Sequence, residues 1–105
     1  MKILLCCAAG MSSSLLVSKM RKSAEELRID CEIWAIPTDA VTQQIDQADV
    51  LLLGPHVRYL MMEFMELGEE NNVPVGLIKA EDYGTFNGKK VLQQAFALQN
   101  NKKGG

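Results

Sequence analysis

The run Cys7-Ala8-Ala9-Gly10-Met11-Ser12-Ser13-Ser14 places a thiol, a glycine and three hydroxyls within one short stretch. Small side chains and Gly10 let the backbone curl until several N–H groups converge on one centre. A helix starting at the serines adds free amides and the positive end of its dipole at the same place. Such a nest binds an anion, and the hydroxyls supply further donors. A cysteine on its rim is expected to sit in a positive potential, which lowers the thiol pKa and favours the nucleophilic thiolate. The combination specifies a thiolate attacking a phosphoryl group that backbone amides hold.

Spacing separates this loop from other phosphate loops. No G-x-x-x-x-G-K-[ST] segment exists in the chain, and Gly10 stands alone where G-x-G-x-x-G would be needed. Cysteine-dependent phosphatases follow Cys-x5-Arg, whose guanidinium clamps the phosphate, but Ser13 occupies that place here. A loop that holds a phosphoryl group without the clamp suits a carrier better than a hydrolase. A thiol phosphatase or arsenate-reductase-like enzyme is the first alternative. A regulatory module that binds a partner according to phosphorylation state is the second.

The remaining chemistry-bearing residues are sparse. Cys6 precedes Cys7 by one, so on a strand it points to the opposite face and reads as core packing. Cys31 opens a later strand. Cys6, Cys7, Cys31 and His56 have no C-x2-C or H-x3-H spacing, so no metal is expected, and no cofactor either. Three cysteines, two of them adjacent, make a poor disulfide framework and suit a reduced cytosol. His56 is the sole histidine and falls in a loop expected to face Cys7. Asp82-Tyr83 is similar to the acid-bearing loop of the small phosphatases, although Tyr83 reads first as a turn residue packed on the sheet end. His56 and Tyr83 are candidates for a supporting layer around Cys7.

The elements that must position these residues alternate. Lys2–Cys6 is an apolar strand without period-2 alternation, as a strand buried on both faces should be. Residues 12–28 show helical spacing, with Leu16, Met20, Ala24 and Leu27 on one side. Strands follow at residues 31–36, 48–53 and 74–78, with a short helix at 38–47. A helix begins near Pro55, with Val57, Leu60, Met61, Phe64 and Leu67 inward. Residues 80–86 read as a polar loop. A last helix, capped by Asn87, buries Val91, Leu92, Ala95 and Phe96, and residues 100–105 read as a loose end. This is a single α/β domain over residues 1–105, a parallel four-stranded sheet with helices on both faces. Right-handed crossovers give the order 2-1-3-4, and ligands bind where that order reverses, between the first and third strands. The loops meeting there begin at Cys7 and at Gly54.

Composition narrows the function. The chain has 105 residues, 48% hydrophobic and 23% charged, an ordinary globular balance. Eleven basic against 13 acidic residues give a net charge of −2, with no basic face for nucleic acid. No apolar run reaches the ~20 residues of a membrane span. A cytoplasmic protein, monomeric in isolation, is expected.

At the same residues the chain resembles a known family. Cys7-Ala-Ala-Gly-Met-Ser-Ser-Ser-Leu-Leu-Val is similar to the phosphocysteine loop of the lactose/cellobiose (chitobiose) class of enzyme IIB, from the bacterial phosphoenolpyruvate-dependent sugar phosphotransferase system. The resemblance continues in Lys19-Met20-Arg21, in residues 48–55 and in Tyr83-Gly84. It implies a fold similar to low-molecular-weight tyrosine phosphatases. It also implies that Cys7 takes a phosphoryl group from a phosphohistidine on enzyme IIA. The group then passes to a disaccharide or β-glucoside bound in the membrane transporter enzyme IIC, at the inner face of the membrane. Family members often carry an amide where this chain has His56, so the resemblance assigns His56 no catalytic role.

Overall fold

The structure, a computed structural model, describes residues 1–7 and 13–104, with side chains for all of these except residues 13 and 102–104. Residues 8–12, most of the expected anion loop, lie outside the described residues. Four strands, β1 (Lys2–Cys6), β2 (Glu32–Ile36), β3 (Val50–Leu53) and β4 (Val75–Leu77), form one parallel sheet in the order β2-β1-β3-β4. Cys6 of β1 lies level with Ile36 of β2 and Leu53 of β3, so the three strands end together. The order reverses between β1 and β3, as the alternation of elements requires.

The two faces of the sheet carry separate core layers. Ile3, Leu5 and Cys7 pack with Leu16 and Met20 of α1 (Ser13–Glu26) and with Val91, Leu92 and Ala95 of α5 (Gly88–Gly104). Leu4 and Cys6 pack on the other side with Val41, Ile45, Val57 and Phe64. Alternation of side chains along β1 therefore sends adjacent residues into different layers. Ile3, Leu4, Leu5 and Cys6 are fully buried. At ~1.5–3 kcal/mol for each large apolar side chain removed from water, this short strand is a main source of stability.

Several local bonds fix the helices on this sheet. Arg21 donates to the carbonyl of Ile33 at 2.6 Å, tying α1 to β2, so it is anchored rather than an idle surface charge. Trp34 Nε1 donates to Gln44 Oε1 at 2.8 Å, holding the segment after β2. That segment is a 3₁₀ turn, the short helix α2 (Val41–Gln44) and a second 3₁₀ turn, not one continuous helix. The chain after β3 begins with a 3₁₀ turn, Pro55–Leu60, broken at Val57, before α3 (Met61–Asn71). Asn72 ends α3 in the left-handed region, at φ 59°.

At Gly88, α5 crosses α1 with the backbones nearly touching. A side-chain carbon there would lie 2.6 Å from the carbonyl oxygen of Lys19 and from the amide nitrogen of Met20. Backbone on both sides leaves nothing flexible to move aside.

Four expectations need correction. Residues 80–86 are not a polar loop throughout, because Ala80–Gly84 forms the helix α4. Its first turn carries Glu81 and Asp82, where carboxylates favour a helix start. Leu27 lies just past the end of α1 and is exposed, not inward-facing. Finally, α5 continues to Gly104, so residues 100–104 extend the helix instead of forming a loose end. The strands at 31–36, 48–53 and 74–78 are shorter by one or two residues at an end than their apolar runs suggest. Among the described residues no helix is long and apolar enough to cross a membrane.

Candidate active site

Cys7 stands one residue beyond β1, at the carboxyl end of the sheet where the strand order reverses. Its amide donates to the carbonyl of Ile36 at 3.4 Å, which continues the pairing with β2 past the strand end. The side chain is 4% exposed and belongs to the layer under α1 and α5. Cys6 is fully buried in the opposite layer. The two adjacent thiols therefore face away from each other across the sheet, which also separates two of the four residues a zinc site would have required.

Two groups crowd the Cys7 thiol. Gly54, directly after β3, donates its amide to the carbonyl of Cys6 at 2.9 Å. A side-chain carbon on Gly54 would come within 3.3 Å of Cys7 Sγ and 3.5 Å of Tyr83 Cε2. The absence of a side chain at position 54 thus makes room for both. Tyr83, on α4, is 4% exposed and lies in the same layer as Cys7. Its hydroxyl is buried and has no hydrogen-bond partner among the described residues. The hydroxyl is near enough to the thiol for each to alter the other's ionisation, but no hydrogen bond of ordinary geometry joins them.

The electrostatics of the described residues run against the sequence expectation. Burial pushes the Cys7 thiol up from its ordinary range, and Tyr83 and the Gly54 amide only partly oppose this. The lowering expected of Cys7 was assigned to the amides of residues 8–14, most of which lie outside the described residues; the groups described around the sulfur do not supply it. Residue types report a favourable helix end but not the depth of the sulfur. Burial, with the adjacent Cys7 adding to it, holds Cys6 up to about 12. Tyr83 is also pushed up to about 12, by burial first and then by Cys7.

The other candidates fall into place around this pair. Ser13 and Ser14 are the first two residues of α1, and Ser14 is exposed. The first turn of α1 holds no acidic residue, so no carboxylate competes for its free amides. Ala8, Ala9, Gly10, Met11 and Ser12 lie outside the described residues. His56 is exposed in the turn after β3, and its ring meets Tyr83 edge-on at 5.6 Å between centroids. It touches the site through Tyr83.

Asp82, next to Tyr83 on α4, is buried. It borders a cleft of about 440 Å³ with Lys79, Lys90 and Gln94. Of the pair Asp82-Tyr83, Tyr83 is the residue that packs in the layer of the thiol. Sequence reasoning placed Gly54 at the start of the facing loop but missed its close approach to the thiol. A glycine that ends a buried strand at the point of order reversal is the signal that could have found it.

Comparison with known proteins agrees with this fold. Residues 2–94 match the family described as "PTS system, Lactose/Cellobiose specific IIB subunit". The chain is 39% identical over 101 residues to the oligo-beta-mannoside-specific EIIB component of Bacillus subtilis, covering 96% of this chain and 98% of the relative. It is 46% identical to the galactose-specific EIIB component of Lactococcus lactis subsp. cremoris, covering 93% and 95%. A cellobiose-specific IIB component from Borrelia burgdorferi has a similar structure, with a TM-score of 0.82, 41% identity and 97% and 94% coverage. The lactose-specific IIB domain from Streptococcus pneumoniae shares the fold at a TM-score of 0.84 and 19% identity, covering 93% and 96%.

Proposed function

The chain belongs to the lactose/cellobiose-specific IIB subunits of the phosphotransferase system, and from that premise we propose that Cys7 is the residue that carries its phosphoryl group. The protein is a sugar-specific phosphocarrier and hence a phosphotransferase. The placement of Cys7 is the observation that supports its role. It stands one residue beyond β1, at the order reversal, in the layer under α1 and just before the loop that leads into α1.

In the proposed cycle Cys7 accepts the group from a phosphohistidine on enzyme IIA and passes it to a sugar bound in membrane enzyme IIC. The protein works at the cytoplasmic face of the membrane. Residues 8–14 would hold the phosphoryl oxygens mainly through backbone amides, because positioning and fixed donors are most of what phosphoryl transfer asks of a protein. Relatives are named for mannosides, galactose and cellobiose. A β-glucoside or other disaccharide substrate is consistent with that spread, with sugar choice made by the membrane partner. Leu15 is 44% exposed on the first turn of α1 and offers partners an apolar contact beside the loop.

The phosphatase alternative loses support, since Ser13 stands where the clamping arginine would be. Intact-mass spectrometry tests the proposal. The protein is incubated with phosphoenolpyruvate, the general phosphotransferase proteins and a cognate enzyme IIA. One added phosphoryl group is expected, and none in Cys7→Ser. Equal addition to the Cys7→Ser variant would refute the assignment.

A further inference from the structure

Tyr83 has a feature that packing does not explain. Its ring is well buried, and a ring alone would serve the core, yet it carries a hydroxyl that is buried with no hydrogen-bond partner among the described residues. A buried hydroxyl without a partner is costly, and in native proteins such a group calls for a reason. The Cys7 thiol is beside it, and Gly54 leaves the space between α4 and β3 open to both. The edge-on contact with His56 holds the ring from the solvent side.

We propose that Tyr83 is a positioning residue whose hydroxyl donates a hydrogen bond to the sulfur of Cys7 when that sulfur is anionic, favouring the thiolate both as attacking and as leaving group. This rests on the phosphocarrier reading and deepens it. In the accepting step the thiol proton leaves to water and the thiolate forms the S–P bond. The N–P bond of the phosphohistidine breaks, and the imidazole nitrogen keeps the electron pair. In the donating step the sugar oxygen forms the O–P bond and its proton passes to solvent. The S–P bond breaks and the sulfur departs with the pair as a thiolate. Sulfur carries most charge at the start of the first step and the end of the second. A neutral donor aimed at it helps most there and least in the phosphorylated state between.

Among the described residues, the titratable groups that act on the thiol are few. Tyr83 stands beside it on α4, while Cys6 lies on the opposite face of the sheet. His56 reaches it only through the Tyr83 ring.

Tyr83→Phe in the full chain removes the donor and keeps the ring. The readout is the rate of Cys7 alkylation by iodoacetamide across pH, resolved by peptide mass spectrometry so that Cys6 and Cys31 are counted separately. The variant is expected to react roughly tenfold more slowly near neutral pH, the size of effect a hydrogen bond to a charged group gives, and to approach the unsubstituted protein at high pH. Its Tm should be unchanged or higher, because the resting hydroxyl has no partner among the described residues and so no bond there to lose. Superposable pH profiles, a rate lowered equally at every pH, or a variant that loses its fold would each overturn the inference. Phosphorylation of the unsubstituted protein by enzyme IIA is scored separately. Failure of that reaction with an altered Tyr83→Phe profile would sink the carrier reading and leave the thiol–hydroxyl pair standing.

Discussion

Replacing Gly54 by alanine should separate activity from stability. Gly54 has φ −66° and ψ 154°, a conformation any residue adopts, so no backbone strain enters. The new methyl would meet Cys7 Sγ at 3.3 Å, Tyr83 Cε2 at 3.5 Å and the Cys6 carbonyl oxygen at 3.7 Å. Only the first contact is tight, and it asks the sulfur to retreat by a few tenths of an ångström. Alanine also restricts the unfolded chain, which stabilises by ~0.4–1 kcal/mol, against a mild overpacking cost of about 1 kcal/mol. The balance lies within about 1 kcal/mol, or a Tm change of at most ~4–8 °C for a domain of this size.

Activity is more sensitive, since a misplacement of ~1 Å costs about a hundredfold in rate. A sulfur displaced by a fraction of that, and pushed against Tyr83, should lose roughly three- to tenfold in phosphoryl acceptance. Single-turnover phosphorylation by enzyme IIA, followed by intact mass, measures the rate, and thermal unfolding by circular dichroism measures the Tm. A Gly54→Ala protein with the unsubstituted rate would show that position 54 does not fix the sulfur. A collapse of Tm by tens of degrees would show that the site has none of the slack described.

Three further outcomes are expected. Gly88→Ala should destabilise by ~1–3 kcal/mol, because its methyl meets the backbone of Lys19 and Met20 and neither helix can yield cheaply; an unchanged urea midpoint would contradict this. Leu52→Ala, in the middle of the sheet and fully buried, should cost ~2–5 kcal/mol in the same assay, and a loss below 1 kcal/mol would mean that the core there collapses around the gap. Stability should also fall at alkaline pH. Cys6, Cys7 and Tyr83 are all held up in the folded protein, so the unfolded chain ionises first. For Cys6 that stabilisation is complete below pH 9.0 and is lost as pH rises toward about 12. Urea unfolding at pH 8 and pH 10.5 should show the fall, and Cys6→Ala should blunt it; equal losses in the two proteins would remove Cys6 from the account.

Much of this was legible because the sequence is locally consistent. β1 announces itself as an unbroken apolar run, and the alternation of runs with helical spacing leaves few parallel topologies open. The same regularity put Cys7 at the order reversal before any motif was considered. α4 escaped because five residues are too few for a hydrophobic period, and Glu81-Asp82 look like loop polarity unless read as a charged first turn. Tyr83 was nonetheless read as packed on the sheet end, where it is buried with Cys7. The burial that lifts the Cys7 thiol was not legible for a different reason: residue types reveal which dipoles lie nearby, while the desolvation of the sulfur depends on how deeply its surroundings enclose it.

The close crossing at Gly88 has a mechanical consequence. α1 starts at the end of the loop that follows Cys7, while α4 carries Tyr83 and is followed within a few residues by Gly88 itself. Phe86, at φ 51°, and the amide of Asn87, bonded to the carbonyl of Asp82 at 2.9 Å, make that link short and stiff. The two walls that flank the sulfur are thus the far arms of one clamp, and its bolt is a contact of bare backbone. A wedge driven in at position 88 would be felt as a change of aperture at Cys7. Variants on the outer helices, remote from any chemistry, can therefore retune the reactivity of the thiol by geometry alone.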